Sequence, residues 1–355
     1  MKELEKLLRK IVEEGASDLH LTVGTPPQMR VDEVLMPIGE TALNPEKSKE
    51  IIYSILSEAQ IKKFERDKEL DLSFGLEGLS RFRANIFYQK GYVAGAFRAI
   101  PYKIMNFEEL GLPKIINRIS DLPKGLVLVT GATGSGKSTT LASLINKINE
   151  ERHGHIITIE DPIEYVHEHK KSIVNQREVS SDTESFGRAL KYVLREDPDV
   201  ILIGEMRDLE TIEAAMVSAE TGHLVFATLH TSDCVQTINR IIDVFPSHQQ
   251  AQVRTQLSFV LQAVLSQQLI PKATGRGRLL ALEIMIATPA IRSLIRESKA
   301  HQIYSVIQTS QQQGMQTMNQ SLATLVARKL ITPEEAMART VEPDDLARLL
   351  NSRKI

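Results

Sequence analysis

The chain has 355 residues, long enough for two or three domains, and its 42% hydrophobic and 25% charged residues are ordinary for a soluble globular protein. A net charge of −2 carries no global signature of nucleic-acid or membrane-surface binding, and Cys234, the single cysteine, excludes an internal disulfide and a cysteine-based zinc site. No apolar run approaches the roughly 20 residues that cross a bilayer. The opening Met1-Lys2-Glu3-Leu4-Glu5 is no signal peptide, because acidic residues interrupt it and no apolar stretch follows, so a cytoplasmic protein is expected.

In chain order, Leu4, Leu7, Leu8, Ile11 and Val12 form one apolar stripe of an N-terminal helix that Gly15 stops. Leu19, Leu21 and Val23 then alternate with Asp18, His20 and Thr22, the period of a half-buried strand. Pro26-Pro27 ends that strand, and a second is predicted from Gln28 to Val34. Helices are predicted from about Pro45 to Leu56 and from Glu58 to Arg66. Asp71–Phe74 and Ser80–Tyr88 alternate again, Gln89-Lys90-Gly91 turns, and Tyr92 to Ile100 returns as a further strand. Residues 1–100 therefore read as a small α+β domain with an antiparallel sheet, and residues 101–113 as a linker.

From Lys114 strands alternate with helices, which argues for a parallel α/β sheet. Gly125–Thr130 is nearly all apolar, as a strand buried on both faces should be. Further strands are predicted at His155–Ile159, Val200–Ile203 and Leu224–Thr228. A hairpin follows, Leu265–Ile270 returning through Lys272–Arg278 into Leu279–Ile286, and helices fill the chain from Thr288 onward.

The first strand runs into Gly131-Ala132-Thr133-Gly134-Ser135-Gly136-Lys137-Ser138, and Leu141, Leu144, Ile145 and Ile148 follow at helical spacing. Strand, glycine loop and helix are the context that makes GxxxxGK[ST] a phosphate loop, here extending to Thr139. The glycines let successive backbone N–H groups face phosphate oxygens, and the helix N-terminus adds its dipole. Lys137 would reach the β- and γ-phosphates of ATP and Ser138 would ligate Mg²⁺.

Ligands of open α/β sheets gather at the carboxyl ends of the strands. After Ile159 come Glu160-Asp161-Pro162-Ile163-Glu164, after Ile203 come Gly204-Glu205, and after Thr228 come Leu229-His230. Phosphoryl transfer to water needs a metal on the phosphates and a carboxylate that orients the water. Glu205 fits the metal-holding role, and Glu164 or Glu160 the water. His230 is placed to contact the γ-phosphate or a neighbouring subunit. His223 lies at the other end of the same strand, about 23 Å away along extended chain, and is read as structural. His153/His155 and His167/His169 are read as surface residues. Arg81 and Arg83 share one strand face and Arg98 lies on the partner strand. Three clustered guanidiniums await an anion, which makes them candidates for contact with nucleotide in trans, against salt bridges to Asp71 or Glu77.

Gly131–Ser138, Ile159–Tyr165, Asp197–Asp208 and the run from Thr221-Gly222-His223 to Leu229-His230-Thr231 together resemble the Walker A, Asp box, Walker B and His box of the type II/type IV secretion ATPases. Ser17-Asp18-Leu19-His20-Leu21 is similar to the N-terminal domain of that family. Within it the chain resembles the type IV pilus retraction ATPases. Extension and type II secretion members usually carry a tetracysteine zinc module, absent from a chain with one cysteine. Ala290–Glu297 is also similar to the retraction motif AIRNLIRE, with Ser293 in place of Asn. An ordinary amphipathic helix would show the same pattern, with Ile291, Leu294 and Ile295 on one face.

The resemblance implies a PAS-like domain over 1–100 and, over 114–355, a RecA-like P-loop ATPase domain with C-terminal helices. It implies a homohexamer with nucleotide between the two domains, Glu164 as the water-activating base and Glu205 as the Walker-B glutamate. It also implies work at the cytoplasmic face of the inner membrane, through the pilus platform protein, in twitching motility. Pilus extension or type II secretion by the same family is the nearest alternative. A RecA-like nucleic-acid translocase is the alternative of another class. It would need a basic stripe with stacking aromatics, and the chain has no Trp and a negative net charge. A non-catalytic nucleotide-sensing scaffold is a third.

Overall fold

The computed structural model describes residues 2–31, 34–76, 78–100 and 104–352. They form two compact units: one holds the described residues up to 100 together with Glu164–Val166, and the other Ile104–Ile163 and the described residues from His167 onward.

The first unit contains α1 (Lys2–Glu13), β1 (Asp18–Leu21), β2 (Gln28–Val31), β3 (Val34–Pro37), α2 (Pro45–Tyr53), α3 (Glu58–Asp67), β4 (Glu69–Leu76), β5 (Ser80–Gln89) and β6 (Tyr92–Ile100). Its sheet has the order β3-β2-β1-β6-β5-β4 with every neighbouring pair antiparallel. The stripe on α1 buries Leu4, Leu8 and Ile11 in the core beneath the sheet, with Phe64, Phe82 and Phe97. That burial removes the reason for the helix to seek another apolar surface. The strand predicted from Gln28 to Val34 is instead two, β2 and β3, paired from Val31↔Val34 to Gln28↔Pro37, and residues 32 and 33 lie outside the described residues. Lys90 (φ 50°) and Gly91 (φ 81°) turn β5 into β6 with both central residues left-handed, the geometry that suits strand twist.

The second unit contains α4 (Ile115–Ser120), β7 (Gly125–Thr130), α5 (Lys137–Glu151), β8 (His155–Glu160), β9 (Ile173–Glu178), α6 (Phe186–Val193), β10 (Val200–Ile203), α7 (Leu209–Glu220), β11 (Leu224–Leu229), α8 (Cys234–Asp243), α9 (Gln250–Val260), β12 (Leu261–Pro271) and β13 (Arg278–Ile286). Helices α10 (Pro289–Arg296), α11 (Ile303–Thr309), α12 (Met318–Ala327), α13 (Pro333–Arg339) and α14 (Pro343–Ser352) complete it. The sheet order is β13-β12-β7-β11-β10-β8-β9, parallel throughout except for the β12–β13 hairpin. Every residue of β7 is buried. Leu126 and Leu128 face one core layer, with Ile212, Ile238 and Leu257 of α7, α8 and α9, while Val127 and Val129 face the other, with Leu144 and Ile145 of α5. This is the two-sided burial that a strand with no polar alternation requires.

Three further features depart from the sequence reading. β9 went unanticipated, because only its first two residues, Ile173 and Val174, are apolar, and as an edge strand it leaves Ile173 exposed. The hairpin strand begins at Leu261, four residues earlier than expected, directly out of α9. Residues 101–103 of the expected linker lie outside the described residues. The rest of it belongs to the second unit, where Phe107 joins the core and Asn106 and Glu109 cap one turn reciprocally. Among the described residues no helix is long and apolar enough to cross a membrane.

Candidate active site

The loop between β7 and α5 has the backbone that its glycines predict. Gly131, Gly134 and Gly136 have φ of 142°, 78° and 90°. Gly131 is also sterically obligatory, because a Cβ there would stand 2.4 Å from the main-chain oxygen of Gln267 and 2.5 Å from Ser135 Oγ. Gly136 is the N-cap of α5 and no side chain caps that helix, so the N–H groups of Lys137 and Ser138 at its start can face a ligand. Ala132, Thr133 and Gly134 are exposed at the loop tip, Ser138 is exposed on the first turn of the helix, and Thr139 is half-buried.

Lys137 folds back over the loop and donates from Nζ to the carbonyl oxygens of Gly131 (2.8 Å) and Ala132 (3.0 Å). Burial pushes its ammonium below the ordinary lysine range, against an opposing attraction from Glu205. It is a buried cation whose hydrogen-bond partners are only carbonyl dipoles, so a phosphate would be a stronger partner.

The sheet register brings the neighbouring strand ends to this loop. Leu229 of β11 lies opposite Thr130 of β7, so His230 follows beside the loop, while Ile203 of β10 lies opposite Ala227 and Ile159. The chain leaving β10 is pinned by Gly204 N–H donating to Ile159 O (2.8 Å) and Met206 N–H to Thr228 O (3.0 Å). Glu205 between them receives Arg207 on Oε2 at 2.7 Å and His230 Nε2 at 3.1 Å from Oε1. Burial alone would raise its carboxyl. Arg207 and His230 outweigh burial and hold it below the usual range, so Glu205 is anionic at neutral pH. His230 is thus placed against a carboxylate, a partner that its position at the strand end did not reveal. Arg207, inside the Walker-B-like run, received no role from sequence and proves to be that carboxylate's main cation.

The two carboxylates considered for water activation differ sharply in setting. Glu160 is buried, and its Oε1 accepts from Thr158 Oγ1 (2.6 Å) and Gln176 Nε2 (3.2 Å). Glu164 is exposed, beyond the cis Asp161–Pro162 bond, and groups with the first unit.

In the first unit Arg83 pairs directly with Arg98 across β5 and β6, and Arg81 lies two residues along the same face. Arg98 Nε donates to Asp18 Oδ1 at 2.9 Å, and Arg81 donates to Ser73 Oγ at 2.8 Å. Asp71, one of the partners weighed for these arginines, accepts from Asn85 at 3.1 Å, and Glu77, the other, lies outside the described residues. Of the three arginines, Arg98 is held by an anion that the sequence reading did not offer, Asp18.

His223 has a structural setting, with Nδ1 2.9 Å from Ser218 O. His167 corrects the surface reading: it is buried, and desolvation lowers its pKa to about 4. Among the described residues no group of three or more His, Cys, Asp or Glu could hold a metal by itself. A divalent ion would have to share its ligands with a phosphate, and Ser138 and Glu205 are the oxygens that could complete its shell. The residues present fit a nucleotide phosphate: an uncapped helix start, a buried lysine and a buried Ser135 Oγ with no hydrogen-bond partner among the described residues.

The family model for type II/IV secretion system proteins matches residues 1–338. The type IV pilus retraction ATPase PilT of Pseudomonas aeruginosa is 52% identical over 343 residues, covering 97% of this chain and 99% of that protein. A twitching motility protein of Neisseria gonorrhoeae is 50% identical over 321 residues, 90% of this chain and 86% of its own length. A crystal structure of the pilus retraction motor PilT with bound ADP superposes with a TM-score of 0.91 at 53% identity, over 97% of this chain and 98% of that one. The parallel sheet with its phosphate loop is accordingly a RecA-like secretion ATPase domain.

Proposed function

We propose that this chain, which belongs to the type II/IV secretion system protein family, is a Mg²⁺-dependent ATPase that retracts type IV pili. The observation that carries retraction is a likeness of 52% identity spanning 97% of the chain to a retraction ATPase. Its local complement is the phosphate loop with Lys137 held over two carbonyls beside an anionic Glu205.

In this reading Gly131–Thr139 cradle the nucleotide phosphates with backbone N–H groups of the loop and helix start, and Lys137 exchanges its two carbonyl partners for phosphate oxygens. Ser138 and Glu205 would hold Mg²⁺, which would neutralise charge on the phosphates. His230 keeps Glu205 oriented and stands where it can register the terminal phosphate. Glu164 orients the attacking water, with Glu160 as the alternative. Glu160 is the poorer base, because it is buried and its Oε1 is held by hydrogen bonds from Thr158 and Gln176. Arg81, Arg83 and Arg98 reach nucleotide from a neighbouring subunit of a homohexamer, and the ring works at the inner-membrane pilus base on the platform protein. Closure of each subunit must come from a difference in affinity between ATP and ADP.

The test is a count of surface pili and a motility assay in a strain lacking the gene, complemented with wild type or Lys137→Ala. Abundant pili with lost motility, restored by wild type alone, is the expected result. Absent pili would transfer the protein to extension, and stimulation of hydrolysis by single-stranded nucleic acid would favour translocation.

A further inference from the structure

β12 breaks its apolar run at Ser266, Gln267 and Gln268. Ser266 pairs with Thr130 of β7, so Gln267 stands beside the first glycine of the phosphate loop. Its side chain is buried, with only 1% of the residue exposed. Nε2 donates to the carbonyl oxygen of Ser135 at 2.9 Å, and the same amide lies 3.3 Å from where a Cβ of Gly136 would be. Its main-chain oxygen is the group that closes the space at Gly131. One residue outside the loop therefore bears on Gly131, Ser135 and Gly136. Two buried atoms here, Gln267 Oε1 and Ser135 Oγ, have no hydrogen-bond partner among the described residues.

The peptide joining Ser135 to Gly136 is planar and trans, so its C=O and N–H point in opposite directions. Drawing the Ser135 carbonyl toward β12 turns the Gly136 N–H away from β12. We propose that Gln267 is a positioning residue for nucleotide, holding the Ser135 carbonyl so that the Gly136 N–H is presented to phosphate before any ligand arrives. This rests on the reading of the loop as a nucleotide site. An amide is required because the carbonyl needs a donor and the buried position excludes a charge, which neither methionine nor ionised glutamate satisfies.

The test is calorimetric binding of ADP to the full chain, with no turnover, as the ratio of each variant's Kd to that of wild type at the same pH. Gln267→Met removes the donor at similar volume and should weaken ADP binding about fivefold to tenfold, the loss of one neutral hydrogen bond. Gln267→Glu should bind more weakly still at about pH 8 and recover toward wild type by about pH 6, as its buried carboxyl takes up a proton and can donate to Ser135. Gln268→Met, on the opposite strand face, should leave the Kd unchanged. Wild-type affinity in Gln267→Met, or a Gln267→Glu ratio that stays flat with pH, would overturn the proposal. Should Gln267→Met not fold, the pH series on Gln267→Glu decides alone. Failure of wild type itself to bind ADP would instead refute the nucleotide reading.

Discussion

Replacing Gly131 by alanine tests whether the loop's shape is imposed by its surroundings or merely tolerated. At φ 142° an L-residue sits in sparsely populated backbone territory, a strain of about 1–3 kcal/mol. The new Cβ also meets the Gln267 main-chain oxygen at 2.4 Å and Ser135 Oγ at 2.5 Å. The serine can rotate. The β12 carbonyl cannot move without disturbing its pairing with β7, so overpacking adds a further 1–3 kcal/mol or so. The total of about 2–6 kcal/mol corresponds to a fall in melting temperature on the order of 10 °C for a unit of this size. Gly134→Ala is the matched control, since it too has positive φ, 78°, but no atom within 4 Å of its Cβ. It should cost only about 1–2 kcal/mol. Differential scanning calorimetry of the ligand-free proteins reads both variants. If Gly131→Ala melts within a degree or two of Gly134→Ala, the contact with β12 does not constrain the loop and the steric reasoning is wrong.

Lys137→Met should abolish ATP turnover without lowering the melting temperature at pH 7, since it removes a cation whose burial disfavours its charge. Because the folded pKa of Lys137 lies below its ordinary 10.5, the unfolded chain binds more protons between those two values, and wild-type stability rises with pH there. Any advantage of the variant should therefore shrink as pH approaches 10.5. A large loss of stability at pH 7 would show that the two carbonyl bonds outweigh desolvation. Glu205→Gln should reduce turnover and destabilise the protein at neutral pH by leaving Arg207 and His230 without their carboxylate. The folded pKa of Glu205 lies below 4.5, so its stabilising effect is present above that value and is lost as pH falls through the folded one. Melting temperatures of wild type and variant should converge in acid, and a constant gap from pH 7 to pH 3 would contradict the ion-pair account. Glu164→Gln should abolish hydrolysis while ADP binding persists. Retained turnover would move the water-activating role to Glu160.

By itself the sequence determined what is local in the chain. Gly125–Thr130, the glycine loop and the helix after it are contiguous, and their apolar periodicity, positive-φ glycines and helix start belong to neighbouring residues. The structure therefore repeats them almost unchanged. The α1 stripe and the alternating strands of the first unit were legible for the same reason. Strand ends carrying Glu160, Glu205 and His230 could be picked out because parallel strands must deliver their carboxyl ends to one edge. What tertiary structure alone decided were contacts between residues far apart in sequence. The pairing of His230 and Arg207 with Glu205, of Arg98 with Asp18, and of Gln267 with Ser135 across 132 positions depends on strand order and register. Glu164 groups with the first unit while Glu160, four residues earlier, stays in the second, a division that adjacency in sequence does not reveal. Periodicity reports which face of an element is buried, and it is silent on which other element covers that face.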